Sequence, residues 1–265
     1  MSGSLALLRA EWRKVLTTKM LWVLAIVAIM FSVINVVTLV LVASGTIAGM
    51  PSTENLLLDP AYITTLLAQV GTASTFVLIL GIIAMTGEYR HMTITSTFLA
   101  TPRRGRVLVA KMVLYAVLGA AVAIVTMAVV VLVSTVMLTR FDHAPITASA
   151  IGSVLVGAII GFALYAIVGV SLGALIKSQI TAIILALVWV LLIEAILSIL
   201  LPAVSKWLPG GALNSAMDVA VTADPTGGIT AADRLPAWGG ALVLLAYAVV
   251  FAVLASLTTL RRDIT

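Results

Sequence analysis

Six long apolar runs, separated by short polar stretches, make up most of this chain. They cover residues 20–43, 61–85, 107–138, 146–176, 180–201 and 237–260. Each run is long enough for one helix to cross a hydrocarbon core, which takes about 20 apolar residues. An open sheet is excluded, because lipid offers no partner to unpaired backbone groups at its edges. The pattern therefore predicts an all-α, polytopic membrane protein, in which residues 1–265 form a single transmembrane domain with six transmembrane helices.

The residues before the first run have an amphipathic pattern. Over residues 4–17 the apolar side chains recur at helical spacing, and the basic residues lie off that face. The apolar face consists of Leu5, Leu8, Trp12, Val15 and Leu16. This pattern predicts an N-terminal helix that lies on the membrane surface. The alternative is a basic flank of the first transmembrane helix.

The longest polar stretch, residues 202–236, also has an apolar side. Trp207, Leu208, Leu213 and Met217 form that side, and Pro209-Gly210-Gly211 interrupts it. We expect short helices that re-enter the outer edge of the membrane before the sixth transmembrane helix, rather than a solvated linker.

Composition and charge agree with a membrane protein and give its orientation. Hydrophobic residues make up 62% of the chain and charged residues 9%, against roughly 45–50% and about 25% in soluble domains. If the N-terminus is inside, twelve of the fifteen basic residues lie at cytoplasmic ends and three at outer ends. The positive-inside rule therefore predicts cytoplasmic N- and C-termini. Contact with anionic lipid head groups accounts for the net charge of +5 without any nucleic acid partner.

The chain lacks the sequence motifs of catalysis and of cofactor binding. There is no GxxxxGK[ST] run to hold ATP phosphates, and no HExxH or GxSxG motif. Cysteine is absent, and the two histidines, His91 and His143, are far apart. We therefore expect no catalytic residue, no metal site and no cofactor bound by this chain.

Four polar side chains within the apolar runs are candidates for a substrate path. They are Asn35 in the first run, Gln69 and Thr72 in the second, and Glu194 in the fifth. Gln69 and Thr72 continue a stripe at helical spacing that begins at Thr65, and contacts between helices explain such a stripe as well as a substrate path does. Glu194 is the only carboxylate inside a predicted membrane helix. An ionisable group at that depth indicates a functional site, although a structural role stays open.

Residues 87–111, here called the basic segment, form the longest charged stretch between two apolar runs. Five of the fifteen basic residues lie in it. Met92, Ile94, Phe98 and Leu99 give it an apolar side that fits a groove on a soluble partner. We expect this cytoplasmic segment to be the site at which another protein acts on the membrane helices.

The basic segment resembles that of a known family, the permease subunits of type-two ABC exporters. The resemblance is carried by Gly87-Glu88-Tyr89-Arg90-His91-Met92-Thr93-Ile94 and Phe98-Leu99-Ala100-Thr101-Pro102-Arg103-Arg104. The N-terminal run Leu8–Lys14 is similar to the elbow helix of that family, and Leu208–Gly211 is similar to its outer loop. The six-span layout extends the resemblance over essentially the whole chain. Met92 departs from the pattern, since relatives usually have glycine before the threonine.

The resemblance implies an ATP-driven exporter of which this chain is the membrane-spanning permease. It implies an elbow helix at residues 4–17 and a cytoplasmic coupling helix at residues 91–100. Two permeases, either two copies of this chain or this chain with a paralogue, would assemble in the inner (plasma) membrane with two ABC ATPase subunits that hold ATP and Mg²⁺. Substrate would pass along helices 1, 2 and 5, past Asn35, Gln69, Thr72 and Glu194. The residues expected to meet the ATPase subunit are Glu88, Tyr89, Arg90, Thr93, Ile94, Phe98 and Leu99.

Two other classes of function compete with this one. A non-transporting scaffold or sensor that recruits a cytoplasmic partner needs the basic segment but no polar path. A membrane-embedded enzyme is disfavoured, because Glu194 would have to work almost alone.

Overall fold

The computed structural model describes residues 9, 11–15, 18–46, 56–91, 104–219, 221–223, 229–231 and 233–258. Six helices in this part of the chain are long and apolar enough to cross a membrane. We number them span 1 (Lys19–Ala43), span 2 (Pro60–Arg90), span 3 (Gly105–Leu138), span 4 (Ala148–Ile176), span 5 (Gln179–Leu200) and span 6 (Ala237–Leu257). The prediction of a helical, six-span membrane protein is confirmed.

Spans 2 and 5 are not uniform α-helices. Span 2 consists of the helices Pro60–Leu67 and Ser74–Arg90, joined by a 3₁₀ segment at Ala68–Ala73. Span 5 consists of the helices Gln179–Leu187 and Glu194–Leu200, joined by a π-helical turn at Val188–Ile193. Span 2 is the most buried of the six within this chain, and span 5 is the most exposed. The helix of span 3 begins at Arg104, and that of span 6 ends at Thr258.

Spans 2, 3 and 4 form the centre of the bundle, where glycines let the helices come close. At Gly169 of span 4 an added Cβ would lie 2.2 Å from the backbone oxygen of Leu78 in span 2. At Gly119 of span 3 it would lie 2.7 Å from the oxygen of Phe162 in span 4. Both distances are too short for any side chain, so small residues are required for this packing.

Two short helices and a hairpin precede span 6. The helices are Pro202–Ser205 and Pro209–Ala216, and the second of them is called the outer helix here. The strands Val221–Ala223 and Ile229–Ala231 pair antiparallel, with Thr222 opposite Thr230. The short helices were expected from the sequence. The hairpin was not, because three-residue strands are too short to show an alternating pattern.

The outer helix packs into the bundle rather than over it. At Gly157 of span 4 a Cβ would lie 2.2 Å from the backbone oxygen of Ala216, and at Gly240 of span 6 it would lie 2.4 Å from that of Ala212. Gly161 of span 4 faces the side chain of Leu213. Gly157 and Gly161, four residues apart in span 4, therefore receive the outer helix, because small residues at that spacing allow close approach.

The N-terminal segment, the ends of the basic segment and the turn between spans 4 and 5 lie on one side of the bundle. Residues 11–15 are helical, and Val15 packs against Leu114 and Leu118 of span 3. Trp12 is exposed, so the predicted apolar face is divided between the bundle and its surroundings. Leu5, Leu8 and Leu16 lie outside the described residues, and a position on the membrane surface stays a prediction.

Candidate functional site

Four charged side chains meet where the N-terminal helix packs against the ends of spans 2 and 3. Glu11 and Lys14 come from the N-terminal helix, Glu88 from span 2 and Lys111 from span 3. Lys111 Nζ lies 2.5 Å from Glu11 Oε2 and 3.0 Å from Glu88 Oε1. Lys14 Nζ lies 2.7 Å from Glu11 Oε1 and 2.7 Å from Glu88 Oε1. Each lysine thus bridges both carboxylates, and we call this group the charge cluster.

The members of the charge cluster differ in their burial. The side chain of Lys111 is 2% exposed and that of Lys14 is 49% exposed, while both carboxylates are buried. Lys111 also donates to the backbone oxygen of Ala84, at 3.4 Å. Burying an ion is costly unless it is paired and hydrogen-bonded. In the charge cluster, two positive and two negative charges satisfy that condition.

The electrostatics of the N-terminal pair follow from this geometry. Burial alone would raise the pKa of Glu11, but Lys111 and Lys14 outweigh it, and the pKa is lowered from 4.5. Burial alone would lower the pKa of Lys14, but hydrogen bonds to Glu11 and Glu88 outweigh it, and the pKa is raised from 10.5. Both groups are therefore held in their charged forms at neutral pH.

The structure describes three of the seven residues that were predicted to contact the ATPase subunit. Glu88 is buried, and its carboxylate faces the charge cluster. The Tyr89 ring lies 5.9 Å from the ammonium of Lys177, and Arg90 donates to Gln179 at 3.3 Å, so both residues reach the turn between spans 4 and 5. The other predicted contact residues lie outside the described part of the chain: Thr93, Ile94, Phe98 and Leu99. The coupling helix itself stays a prediction.

Three of the four predicted path residues lie on spans 1 and 2. Asn35 donates to the backbone oxygen of Phe31 at 2.8 Å, within its own helix, and Gln69 does the same to that of Thr65 at 3.1 Å. Thr72 is joined to Ser32 of span 1 by a hydroxyl contact of 3.1 Å. All three side chains are partly buried. Of the three, only Thr72 is shown to join spans 1 and 2. A role of these residues in a substrate path stays a prediction.

Glu194 lies elsewhere, in an apolar cavity between spans 2, 4, 5 and 6. The volume of the cavity is about 360 Å³. Glu194 was predicted to share a substrate path with Asn35, Gln69 and Thr72, but none of those three residues lines this cavity. Its lining includes Tyr165, Trp189, Glu194, Pro209, Tyr247 and Phe251.

The outer helix and the π-helical turn position the Glu194 carboxylate. Oε2 accepts a hydrogen bond of 2.9 Å from the backbone N–H of Gly210, near the start of the outer helix. A Cβ at position 210 would lie 2.6 Å from that oxygen, so glycine allows the close approach. Oε1 is buried and has no hydrogen-bond partner among the described residues. Trp189 interacts with the carboxylate but not in hydrogen-bond geometry.

Sequence reasoning found Glu88 but missed Glu11, Lys14 and Lys111, which complete the charge cluster. The sequence did contain a signal for this pairing. Lys111 is the fifth residue of the third apolar run, and Glu11 is the only acidic residue of the N-terminal segment. An ionisable residue inside an apolar run indicates that a charge of opposite sign lies near it. Their separation of 100 residues hides that pairing from any local pattern.

These features define a multi-pass helical membrane protein whose charged groups join its N-terminal helix to spans 2 and 3. The model of the ABC-2 family transporter proteins matches residues 7–193, well over half of the chain. The chain therefore belongs to the ABC-2 family of transporter proteins: it is the membrane permease of an ABC transporter, and not itself an enzyme. The resemblance noted in the sequence is confirmed, and the family implies an ATPase partner. A search of curated proteins found no match to the chain.

Proposed function

We propose that this chain is the permease subunit of an ATP-driven exporter in the plasma membrane, with both termini in the cytoplasm. Its partners are a second permease and two copies of a separate ATPase subunit, which bind ATP and Mg²⁺. The basic segment meets the ATPase subunit, and the substrate path runs through the spans. Family membership supports the transporter class. The coupling role rests on an observation about the charge cluster.

That observation is the position of the charge cluster at both ends of the segment 92–103. Glu88 lies four residues before this segment and Lys111 eight residues after it, and the two side chains are in direct contact at 3.0 Å. Both also bind the N-terminal helix, through Lys14 and Glu11. A displacement of the segment is therefore passed to spans 2 and 3 and to the N-terminal helix together.

The mechanism follows from this rigid attachment. Nucleotide binding brings the two ATPase subunits together and moves the segment 92–103 on each permease. Spans 2 and 3 move with it, which shifts the membrane part between inward-open and outward-open states. In this scheme ATP shifts the equilibrium between the inward-open and outward-open conformations, and the spans of this chain are the element that adopts both.

Thiol cross-linking tests the contact, because the chain contains no cysteine. Phe98→Cys in the permease should cross-link to single cysteines in the groove of an ABC ATPase subunit encoded beside it, when the two are expressed together. Leu58→Cys is the control, since Leu58 is an exposed hydrophobic residue near the predicted outer side. Equal cross-linking of the two variants, or none at Phe98→Cys in an assembled complex, would contradict the proposal.

A second measurement separates an exporter from a scaffold. A scaffold would bind the ATPase subunit without any nucleotide-dependent change in its spans. In an exporter, labelling of Leu185→Cys, at the edge of the Glu194 cavity, should change when ATP and vanadate are added to the complex. Labelling that stays constant while the cross-link at residue 98 forms would favour the scaffold.

A further inference from the structure

The Glu194 cavity has the size and lining of a small-molecule site. Its volume of about 360 Å³ lies within the range of ligand pockets, roughly 300–1,000 Å³. Such pockets are mostly apolar and carry a few polar groups that orient the ligand. Here Glu194 is the one acidic residue among the lining residues that the structure describes.

The state of the Glu194 carboxylate indicates what the ligand must provide. The residue is 7% exposed, and Gly210 satisfies only Oε2. Oε1 has no donor in hydrogen-bond geometry among the described residues, and the Trp189 side chain approaches the carboxylate without reaching that geometry. A buried carboxylate oxygen without a donor is costly. A purely apolar occupant, such as an acyl chain, would leave that cost in place, whereas an N–H donor removes it.

Aromatic side chains around the carboxylate favour a cationic donor. Trp189, Tyr247 and Phe251 line the same cavity. The faces of aromatic rings attract ammonium and related cations, most strongly where water is excluded. A carboxylate combined with aromatic rings in an apolar cavity is complementary to a single positive charge on an apolar body.

The backbone of span 5 is irregular at the same place. The π-helical turn Val188–Ile193 ends directly before Glu194. Single π-helical turns within α-helices are rare and occur frequently at functional sites. The turn includes Trp189, so it positions one aromatic lining residue and ends next to the carboxylate.

We propose that this cavity binds a lipophilic monocation that carries N–H donors, with its charged nitrogen on Oε1 of Glu194 and its apolar body among spans 4, 5 and 6. If the chain is an exporter permease, as proposed above, such amines are its cargo class. That last step alone rests on the proposed function. Binding itself is a property of this chain and needs neither nucleotide nor ATPase subunit.

The test compares two ligands of the same shape on the purified full-length chain. The chain is placed in nanodiscs of phosphatidylcholine, a lipid without net charge, and empty nanodiscs are subtracted. The probes are 9-aminoacridine, which is a cation with N–H donors at neutral pH, and acridine, which is neutral and lacks them. We expect 9-aminoacridine to bind at least about tenfold more tightly, the ratio that follows from a charged hydrogen bond.

Matched variants assign the preference to Glu194. Glu194→Gln keeps the shape and an oxygen that can accept from Gly210 but loses the charge, so it should weaken 9-aminoacridine binding about tenfold or more and leave acridine unchanged. Asp142→Asn removes one negative charge from an exposed outer turn and should bind both probes as the wild type does. Size-exclusion chromatography of each variant checks its fold.

Three results would overturn the proposal. They are equal affinity of the wild type for the two probes, undiminished binding of 9-aminoacridine to a well-folded Glu194→Gln, and no binding to the wild type at all. The last result would indicate that lipid fills the cavity. Comparing the two probes on the wild type keeps the test decisive even if Glu194→Gln does not fold. Cross-linking to the ATPase subunit is unaffected by any of these results, so a failure here is distinguishable from a failure of the exporter proposal.

Discussion

Replacing Lys111 by methionine is the most direct test of the charge cluster. Methionine has nearly the same length and volume as lysine but carries no charge. After the change, Glu11 and Glu88 remain buried and have lost the most buried lysine of the charge cluster. Removing one partner of a buried ion pair costs about 3–5 kcal/mol, because it leaves a charge uncompensated in the interior. Lys111 contacts two carboxylates at 2.5 Å and 3.0 Å, so we expect Lys111→Met to lose about 3–5 kcal/mol of stability.

Lys14→Met is the matched control within the same cluster. Lys14 contacts the same two carboxylates, both at 2.7 Å, but its side chain is 49% exposed. Solvent screens an ion pair at that exposure, and the cost falls to about 1 kcal/mol or less. The contact distances are similar for the two lysines. The difference in burial therefore predicts that Lys111→Met loses more stability than Lys14→Met.

Thermal unfolding in detergent, followed by tryptophan fluorescence, measures both variants. At about 2–4 °C per kcal/mol, Lys111→Met should lower the midpoint by about 6–20 °C, and Lys14→Met by about 4 °C or less. Equal midpoints for the two variants would refute the argument from burial. Neutralising the whole cluster with near-isosteric residues should restore most of the loss, because no unpaired charge remains. That variant combines Glu11→Gln, Lys14→Met, Glu88→Gln and Lys111→Met.

Three further predictions concern pH, packing and the polar stripe. The pKa of Glu11 is lowered from 4.5, so its contribution to stability is complete above pH 4.5 and is lost as pH falls through the folded-state pKa. Below pH 4.5 the unfolding midpoint of Glu11→Gln should therefore change less than that of the wild type. Gly157→Ala places a Cβ 2.2 Å from a backbone oxygen of the outer helix and should cost about 1–3 kcal/mol. Gly152→Ala, in the same helix, meets nothing within 4 Å and should be neutral or stabilising by roughly 0.5–1 kcal/mol; equal midpoints for the two glycine variants would contradict the packing argument. Asn35→Leu and Gln69→Leu remove hydrogen bonds within one helix and should change stability by less than about 1 kcal/mol, as guanidinium or heat unfolding can check.

The six spans were predictable because lipid imposes one requirement on every residue of a span. A helix that crosses the membrane must be predominantly apolar over about 20 residues, and that requirement is visible in the sequence. The breaks inside spans 2 and 5 were not predictable in the same way. The residues Val188–Ile193 of the π-helical turn are as apolar as their neighbours, so their composition does not mark the break.

For the functional sites too, the sequence revealed single residues but not the contacts between spans. Glu194 was found from the sequence because a carboxylate in an apolar run is conspicuous, but its cavity was not, since spans 2, 4, 5 and 6 all contribute to it. Its grouping with Asn35 and Gln69 rested on their shared polarity. The structure separates them, because each polar side chain in the membrane finds its partner within reach: the neighbouring backbone for Asn35, and the outer helix for Glu194.

The charge cluster also limits how the basic segment can act on the spans. Glu88 belongs to span 2 and Lys111 to span 3, and each is bound to the N-terminal helix as well as to the other. A force applied to any residue between Glu88 and Lys111 therefore acts on spans 2 and 3 at the same time. Substitutions in residues 92–103 should therefore weaken or abolish coupling to both spans together. A change in the charge cluster itself, such as Lys111→Met, should instead weaken the link between the ends of spans 2 and 3.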